Sequence, residues 1–510
     1  MSDSILIGGS PDGPQGITLK RANRHGLVAG ATGTGKTVTL QVLAEQFAAA
    51  GVNVFAADVK GDLSGIAVPG VPTPGWATKR AEEIGVTVTP GAAKTVLWDV
   101  YGELGHPIRT TVFEMGPLLM SRILEATEAQ EGAITIAFKI ADDRALSSKT
   151  ASDFLLDLKD FRALLNYISE NSEEIGKKYG LVTPQTVAAL QRRLLQMEMD
   201  GADHFFGEPA FDLEDLLKLQ ADGRGCVHLL AAERLIQSPR LYATFLLWLL
   251  SEMWESLPEA GDLDKPKLVF FFDEAHLLFK DAPRALLDRI EQVARLIRSK
   301  GVGIYFVTQS PADVPEIVLS QLGNRIQHAL RAYTPSDQKA VKAAANSFRA
   351  NPGVDVAREI QELGVGEALV STLDDKGAPT PVARTKVRPP NSQVGPINAE
   401  TRRRIVQESG LSAKYDTPID RESAHEILGK RADAAAREAE RTAESEAREK
   451  EQAKRDRQDR DTSRSSGTRA RTRPRSSALE RQTGRVASNV FNTIAREIVR
   501  GIFGNTRRRR

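Results

Sequence analysis

The sequence contains almost no cysteine. Cys226 is the single one in a chain of 510 residues. One thiol excludes an intramolecular disulfide framework and a cysteine-based zinc site, and it fits a reduced cytoplasmic compartment. Cys226 lies in a short apolar run, which favours a small buried side chain over a catalytic thiol.

Long hydrophobic segments are also missing. The densest apolar run, residues 241–250, has about half the length that a membrane-spanning helix needs. The N-terminus, MSDSILIGGSPDG, has no basic segment followed by an apolar core, so the sequence shows no secretory signal. We therefore expect a cytoplasmic protein without a membrane span.

Most of the chain lacks an excess of basic residues. The formal net charge of the whole chain is +2. Residues 462–510 contain 13 Arg and two Glu, so this segment alone has a net charge of +11. The remaining residues therefore carry −9. The body of the protein shows no overall basic excess of the kind that nucleic-acid-binding proteins often carry. Basicity belongs to the C-terminal segment.

The strongest positive feature is the sequence GATGTGKT, which fills the pattern G-x-x-x-x-G-K-[ST]. An apolar run precedes it and helix-forming residues follow it, so the predicted setting is strand, loop, helix. Glycines let backbone N–H groups turn toward a phosphate chain, while the lysine reaches the β and γ phosphates and the last hydroxyl ligates magnesium. We therefore predict ATP and Mg²⁺ as cofactors. The predicted nucleotide-binding residues are Gly30, Ala31, Thr32, Gly33, Thr34, Gly35, Lys36 and Thr37.

A second feature, LVFFFDEAH at residues 268–276, is an apolar strand pattern that ends in two carboxylates. Asp273 is predicted to hold the metal together with Thr37, and Glu274 to orient and polarise the attacking water. A carboxylate next to the metal aspartate favours hydrolysis over phosphoryl transfer to a small molecule. Alone, such a strand end is a weak signal, but after an intact phosphate loop it is a strong one.

Two further polar residues follow predicted strands. Gln309 ends the run 305–308 and is predicted to sense the γ-phosphate or the attacking water. Asp58 ends the run 52–57, and we assign it to the nucleotide site because ligands gather at the carboxyl ends of parallel strands. A role in the turn is an equally good interpretation of Asp58 and Asp62.

Transition-state charge also calls for an arginine, which a neighbouring subunit often supplies. Arg298 and Arg325 are the candidates assigned to catalysis, with Arg295 and Arg331 as further ones. An arginine on a helix more often belongs to a solvated face or an ion pair. His276 is interpreted as a structural hydrogen-bonding residue.

Composition and periodicity divide the chain into five segments. Alternating strand and helix patterns predict an α/β fold with a parallel sheet, interrupted by a mostly helical insertion. The charged segment is either a solvated single helix or disordered, and the last segment is a basic amphipathic helix. The predicted segments are 1–63 (ATPase core with the phosphate loop), 64–224 (helical insertion), 225–430 (rest of the core), 431–477 (charged linker) and 478–510 (basic helix).

The set GATGTGKT, FFFDEAH and FVTQSP, in this order and spacing, resembles the HerA/FtsK superfamily of P-loop ATPases, and most of all the bacterial HerA-like helicase family. The resemblance also takes in DVKGDLSG and WDVYGELGHPIRTTVFEMGPLL, and therefore most of residues 1–430. It implies a RecA-like core with an additional strand and a catalytic glutamate, to which the composition adds a helical or disordered basic tail. It assigns Lys36 and Thr37 to phosphate and magnesium, Asp273 to the metal, Glu274 to the base and Gln309 to the sensor.

The resemblance implies a ring, usually a hexamer, that moves along duplex DNA by ATP hydrolysis. The alternative is a regulatory ATPase switch whose C-terminal helix, 478–510, binds a protein or membrane partner; docking of that helix onto its own oligomer is a third interpretation. One departure is visible. Archaeal HerA carries an all-β domain ahead of its phosphate loop, whereas this loop begins at residue 30, so a nuclease partner or repair role transfers poorly.

Overall fold

The computed structural model describes residues 3–71, 75–143, 150–279 and 284–465. The strands in this part of the chain are β1 (Ser4–Ser10), β2 (Gly13–Thr18), β3 (Gly26–Ala29), β4 (Asn53–Asp58), β5 (Thr95–Asp99), β6 (His106–Pro107), β7 (Val227–Ala231), β8 (Leu268–Phe272), β9 (Val302–Thr308), β10 (Asn324–Gln327), β11 (Glu367–Ser371) and β12 (Ala383–Val387).

The helices lie between these strands and after them. They are α1 (Lys36–Ala49), α2 (Gly75–Ile84), α3 (Val112–Ile123), α4 (Glu128–Asp142), α5 (Ala151–Phe154), α6 (Leu158–Glu170), α7 (Ser172–Tyr179), α8 (Pro184–Met199), α9 (Glu214–Leu217), α10 (Pro239–Ser256), α11 (His276–Phe279), α12 (Arg284–Leu296), α13 (Glu316–Leu319), α14 (Pro335–Asn346), α15 (Val356–Glu362), α16 (Ala399–Glu408), α17 (Ser412–Tyr415) and α18 (Ala424–Ser465).

All of these strands belong to one sheet, in the order β2-β1-β12-β11-β10-β3-β9-β8-β4-β7-β5-β6. From β10 to β6 every neighbouring pair is parallel, which confirms the predicted parallel sheet for this part of a mixed sheet. From β10 to β2 the pairs are antiparallel. Strands β3, β4, β8 and β9 are buried along their full lengths, as expected for strands covered on both faces.

The centre of the sheet brings β3 and β8 close together with β9 between them. In the register, Ala29 lies opposite Thr308, and Phe272 lies opposite Phe306. Because the strands are parallel, their carboxyl ends lie at the same edge of the sheet. The register shows that the three strands end at nearly the same level. The intervening β9 is the additional strand that the resemblance implies, and its C-terminal end lies between the phosphate loop and the acidic pair.

Alternate residues of the central strands pack into two different cores, because successive side chains point to opposite faces. Val269 and Phe271 belong to the core that covers α1, whereas Phe270 and Phe272 belong to the core that covers α10. The same alternation occurs in β9. Strong apolar packing on both faces stabilises the strands whose ends carry the polar residues of interest.

The stretch 64–224 is mostly helical and also contributes two strands to the sheet. Strand β5 pairs with β7, and β6 pairs with β5 at the edge. Apolar residues of α3, α4, α6 and α8 join the core that also covers α10 and the sheet. The contacts divide the chain into a compact unit of residues 1–432 and a second unit that begins at Asp433. The five segment boundaries stay predictions.

The C-terminal segment begins with the long helix α18. Its residues 433–456 are exposed, so this part of the predicted linker is a solvated single helix. Few large apolar residues occur in it, and salt bridges at i,i+4 spacing such as Lys450 to Glu446 run along its surface. The predicted basic helix 478–510 lies outside the described residues. Across the parts of the chain that the structure describes, every helix is too short or too polar to cross a bilayer.

A buried carboxylate ties the first turn of α6 to the start of α18. Asp160 is fully buried, and its Oδ2 accepts hydrogen bonds from the backbone N–H groups of Leu156, at 2.9 Å, and Asp157. Its Oδ1 accepts hydrogen bonds from the Ser423 hydroxyl at 2.6 Å and the His425 N–H at 2.8 Å. Burial raises the pKa of Asp160, while the Ser423 hydrogen bond acts in the opposite direction.

We predict that Asp160→Ala lowers the free energy of unfolding by about 2–4 kcal/mol, because it leaves several buried donors without an acceptor. Equilibrium denaturation by urea measures this loss. Asp203, which is exposed, offers a matched control, and Asp203→Ala should change the midpoint little. Equal midpoints for the two variants would contradict the anchoring role of Asp160.

Candidate active site

The predicted phosphate loop connects β3 directly to the first turn of α1. Gly33 and Gly35 have φ angles of 77° and 107°, which side-chain-bearing residues rarely adopt. A Cβ at Gly30 would lie 2.5 Å from the Cβ of His328, so only glycine fits there. The loop is therefore a concave backbone surface at a helix N-terminus, which is the arrangement that binds phosphate groups.

Lys36 is turned back onto this loop. Its Nζ donates hydrogen bonds to the carbonyl oxygens of Gly30, at 2.5 Å, and Ala31, at 3.0 Å. Burial lowers the pKa of Lys36 and nearby Lys60 adds to this effect, whereas Glu274 and Asp273 act in the opposite direction. Phosphate oxygens entering the loop would offer this ammonium stronger acceptors than its own carbonyls.

Residues beyond the motif hold the loop in place. The ring of His328 bridges the Thr39 hydroxyl, at 2.9 Å, and the Glu367 carbonyl, at 2.8 Å. The N–H of Gly366 donates to the Thr34 carbonyl at 3.0 Å. The sequence analysis did not identify His328 or Gly366. They adjoin β10 and β11, on the side of β3 away from β9, and only the sheet order brings them to the loop.

The acidic pair lies where β8 ends. Asp273 Oδ1 accepts a hydrogen bond from the backbone N–H of Glu274 at 2.9 Å, and the Asp273 carbonyl accepts one from Tyr242 at 2.8 Å. Burial, followed by the charge of Glu274, raises the pKa of Asp273 to about 6. Glu274 has a φ of 48°, a conformation that costs a non-glycine residue about 1–3 kcal/mol. The backbone thus holds the pair in a strained turn.

The carboxylate of Glu274 is buried and has three polar neighbours. Lys60 Nζ lies 3.8 Å from its Oε1. Its Oε2 lies 3.4 Å from Gln309 Nε2 and 3.3 Å from His276 Nδ1. The structure therefore places the predicted sensor, Gln309, in contact with the predicted base. Lys60 and His276 were not assigned to the site from the sequence.

Asp58 occupies the end of β4, next to β8. Its Oδ2 accepts a hydrogen bond from the Leu63 N–H at 3.1 Å, which is the turn role, and its buried Oδ1 has no hydrogen-bond partner. Burial raises the pKa of Asp58 to about 7, and the charges of Asp62 and Glu233 act in the same direction. Asp58 therefore lies beside the acidic pair, within range of the charge of Asp273.

The donor groups at this edge suit a magnesium–nucleotide complex. Mg²⁺ prefers oxygen ligands and usually binds one or two protein groups together with phosphate oxygens. Thr37 and Asp273 are the predicted protein ligands. Thr37 ends the loop that follows β3, Asp273 follows β8, and β9 is the one strand between β3 and β8. The fit rests on the glycine-lined loop, on Lys36 and on the oxygen character of both ligands.

Three of the four predicted arginines, Arg295, Arg298 and Arg325, lie away from the phosphate loop. Arg298 and Arg325 line a cavity of about 340 Å³ near the amino ends of the strands, at the edge of the sheet opposite to the phosphate loop. The guanidinium of Arg325 donates to the carbonyls of Leu322, Ser347 and Leu319 at 3.0–3.2 Å. Arg331 follows the carboxyl end of β10 and donates to the Leu363 carbonyl at 3.2 Å.

That cavity is basic. Arg24 and Arg295 also line it, and none of the described lining residues is a carboxylate, although Glu291 lies 3.8 Å from Arg295. Burial lowers the pKa of Arg24, and the charges of Arg298 and Arg21 act in the same direction. No arginine of this cavity reaches the phosphate loop of its own chain, so their catalytic role stays a prediction that requires a second subunit.

Comparison with known families gives a match over nearly the whole chain. The family described as helicase HerA-like C-terminal matches residues 4–510. A probable helicase of Methanocaldococcus jannaschii, MJECL08, is 35% identical over 120 residues, which are 23% of this chain and 21% of that protein. The DNA double-strand break repair helicase HerA of Sulfurisphaera tokodaii is 34% identical over 99 residues, 19% of each chain. The chain thus spans about a fifth of the length of these curated relatives.

Solved structures share the fold. The bacterial conjugative coupling protein TrwBdeltaN70 aligns with a TM-score of 0.50 and 16% identity, over 77% of this chain and 92% of that chain. The plasmid coupling protein TrwB in complex with the ATP analogue ADPNP aligns with a TM-score of 0.51, at the same identity and coverage. This likeness confirms the predicted RecA-like α/β fold.

The raised pKa of Asp58 predicts how Asp58→Asn changes stability. The folded carboxyl binds its proton more tightly than the unfolded one, so the contribution of Asp58 to stability falls as pH rises from about 4 to about 7. Asparagine removes this loss. Its advantage over wild type should therefore grow across that range by up to about 4 kcal/mol and then level off.

Urea denaturation without nucleotide at pH 5, 6, 7 and 8 measures the effect. Asp12→Asn, at an exposed position, is the control, and its difference from wild type should stay constant. A pH-independent difference for Asp58→Asn would show that Asp58 is ionised throughout.

Proposed function

Because this chain belongs to the helicase HerA-like C-terminal family, we propose that it is a P-loop ATPase that couples ATP hydrolysis to movement along duplex DNA. One observation carries the proposal. The glycine-lined loop with Lys36 and the pair Asp273–Glu274 lie at the ends of β3 and β8, on either side of β9. This order supports the proposal, because the glycine-lined loop and two carboxylates lie at one edge of the sheet.

Each side chain at that edge has a role in hydrolysis. The loop N–H groups and Lys36 bind the phosphates, and Thr37 and Asp273 would hold Mg²⁺, which supplies charge neutralisation at the phosphates when bound. Glu274 accepts a proton from the attacking water, and Gln309, 3.4 Å from Glu274, orients that water or the γ-phosphate. Asp58 lies next to this group and completes the acidic side.

A ring of subunits, in our proposal a hexamer, would complete the site. The arginine-lined cavity with Arg298 and Arg325 lies at the amino edge of the sheet, where it cannot contact the nucleotide of its own chain. In a ring, the amino edge of one subunit can face the phosphate loop of the next. We favour Arg298 as the arginine supplied in trans, because the Arg325 guanidinium is held by three backbone carbonyls of its own chain.

Duplex DNA is the proposed polymer. Two relatives support it: one is named a probable helicase and the other a DNA double-strand break repair helicase. A repair role and its partners are not part of the proposal, because the match spans about a fifth of those proteins. The single cysteine fits a reduced compartment, so we place the protein in the cytoplasm.

The alternative function is a regulatory ATPase switch. It rests on the basic segment 478–510, whose apolar residues recur at four-residue steps and which would bind a protein or a membrane surface. A switch of this kind hydrolyses ATP without a polymer, so the two functions differ in their response to DNA.

We predict that duplex DNA stimulates ATP hydrolysis several-fold and that the stimulation falls as salt rises, because phosphate contacts release counterions. The measurement is the steady-state ATPase rate with and without duplex DNA at two salt concentrations. Glu274→Gln is the control: it should bind ATP and hardly hydrolyse it, which excludes a contaminating ATPase. A rate unaffected by DNA would favour the switch.

We also predict that the variants Arg298→Ala and Lys36→Ala, each inactive alone, complement each other when mixed. The first keeps an intact phosphate loop and the second keeps the arginine, so about a quarter of the interfaces in an equal mixture would be complete. The measurement is the ATPase rate of the mixture after subunit exchange.

A mixture of Lys36→Ala with Glu274→Gln is the matched control, since both lesions lie on the same side of the interface and none of its interfaces is complete. Mass in solution with a non-hydrolysable ATP analogue reports the oligomer. If the first mixture stays as inactive as the control, Arg298 is not the arginine supplied in trans.

A further inference from the structure

Lys60 lies at the candidate active site without an assigned role. It follows β4 in the sequence DVKGD, two residues after Asp58. Its side chain is 46% exposed, and its Nζ lies 3.8 Å from Glu274 Oε1. A lysine has a four-carbon flexible stem and a compact ammonium group with three donors. Lys60 can therefore contact a different anion without movement of the backbone.

In this structure the carboxylate of Glu274 is contacted on both oxygens. Lys60 approaches Oε1, while Gln309 and His276 approach Oε2. A general base needs a free oxygen within hydrogen-bond reach of the water that it deprotonates. Of the three neighbours, Lys60 is the one whose side chain ends in an ammonium group. Movement of the Lys60 ammonium away from Glu274 is therefore the change that frees Oε1.

Two ammonium groups face the same space. After burial, the charge of Lys60 is the largest influence that lowers the pKa of Lys36, so the two lysines repel each other. Lys36 reaches the loop from α1, and Lys60 reaches the acidic pair from β4. The terminal phosphate of a nucleotide in the loop would lie between these groups, because the loop, β9 and β8 end at one level.

We propose that Lys60 recognises the γ-phosphate: its ammonium pairs with Glu274 when that phosphate is absent and moves to the phosphate when ATP binds. The move releases Glu274 for the attacking water and adds a positive charge at the transferred group. This inference rests on the proposed ATPase function. The chemistry is hydrolysis: the water oxygen bonds to the γ-phosphorus, the bond to the β–γ bridging oxygen breaks with its electron pair leaving on ADP, and the water proton goes to Glu274.

The test compares nucleotides that differ only in the γ-phosphate, using the full chain. Lys60→Met should leave the dissociation constant for Mg·ADP within about twofold of wild type and weaken that for a non-hydrolysable Mg·ATP analogue about tenfold. The value of kcat should fall by about tenfold or more. Lys60→Arg, which keeps the charge, should restore part of both losses.

Lys79→Met is the matched control, because Lys79 is an exposed lysine on α2. It should change neither dissociation constant. Circular dichroism checks the fold of each variant, and Lys60→Gln serves as the second neutral variant if Lys60→Met unfolds.

Three outcomes overturn the proposal. Equal weakening of both nucleotides would show a structural role for Lys60, and unchanged binding and kcat would show no role. If wild type hydrolyses ATP in either case, this inference fails while the ATPase function stands. If wild type binds neither nucleotide, the proposed function itself fails, and the role of Lys60 fails with it.

Discussion

The active-site arrangement depends on the shared level at which the parallel strands β3, β9 and β8 end. Their register is set by backbone hydrogen bonds and by apolar side chains that fill a core on each face. A register shift of one residue in β8 would move Asp273 and Glu274 along the strand direction by one residue. It would also point each apolar side chain of β8 into the core on the opposite face of the sheet. Because the packing of Phe270 and Phe271 resists that shift, the carboxylates stay beside the phosphate loop.

Burial at this edge of the sheet shifts the pKa values of its charged side chains. Asp58 and Asp273 have pKa values raised to about 7 and about 6, first of all by burial, while burial lowers the pKa of Lys36. Each ionised group therefore depends on a partner of opposite charge, and Lys60 and Glu274 supply one such pair. A magnesium–triphosphate entering the site would replace several of these contacts at once. Binding of this complex would therefore change the side-chain arrangement at this edge.

Much of this site was predictable because its signals are local. The loop at residues 30–37, the apolar run before Asp273 and the run before Gln309 each combine a strand pattern with polar residues at its end. The missing parts depend on long-range pairing. His328 and Gly366 contact the loop only because β10 and β11 lie beyond β3, and β12, with alternating polar residues, joins the sheet through partners far away in sequence. The position of Arg298 and Arg325 likewise required the sheet order.

The central claim is that the phosphate loop and the acidic pair bind one magnesium–triphosphate. The most direct measurement is a crystal structure of the Glu274→Gln variant with Mg·ATP. The account predicts the triphosphate in the loop with Lys36 on its β and γ phosphates, and one Mg²⁺ between Thr37 and Asp273, directly or through water. A nucleotide bound elsewhere, or a metal that contacts neither residue, would contradict the account.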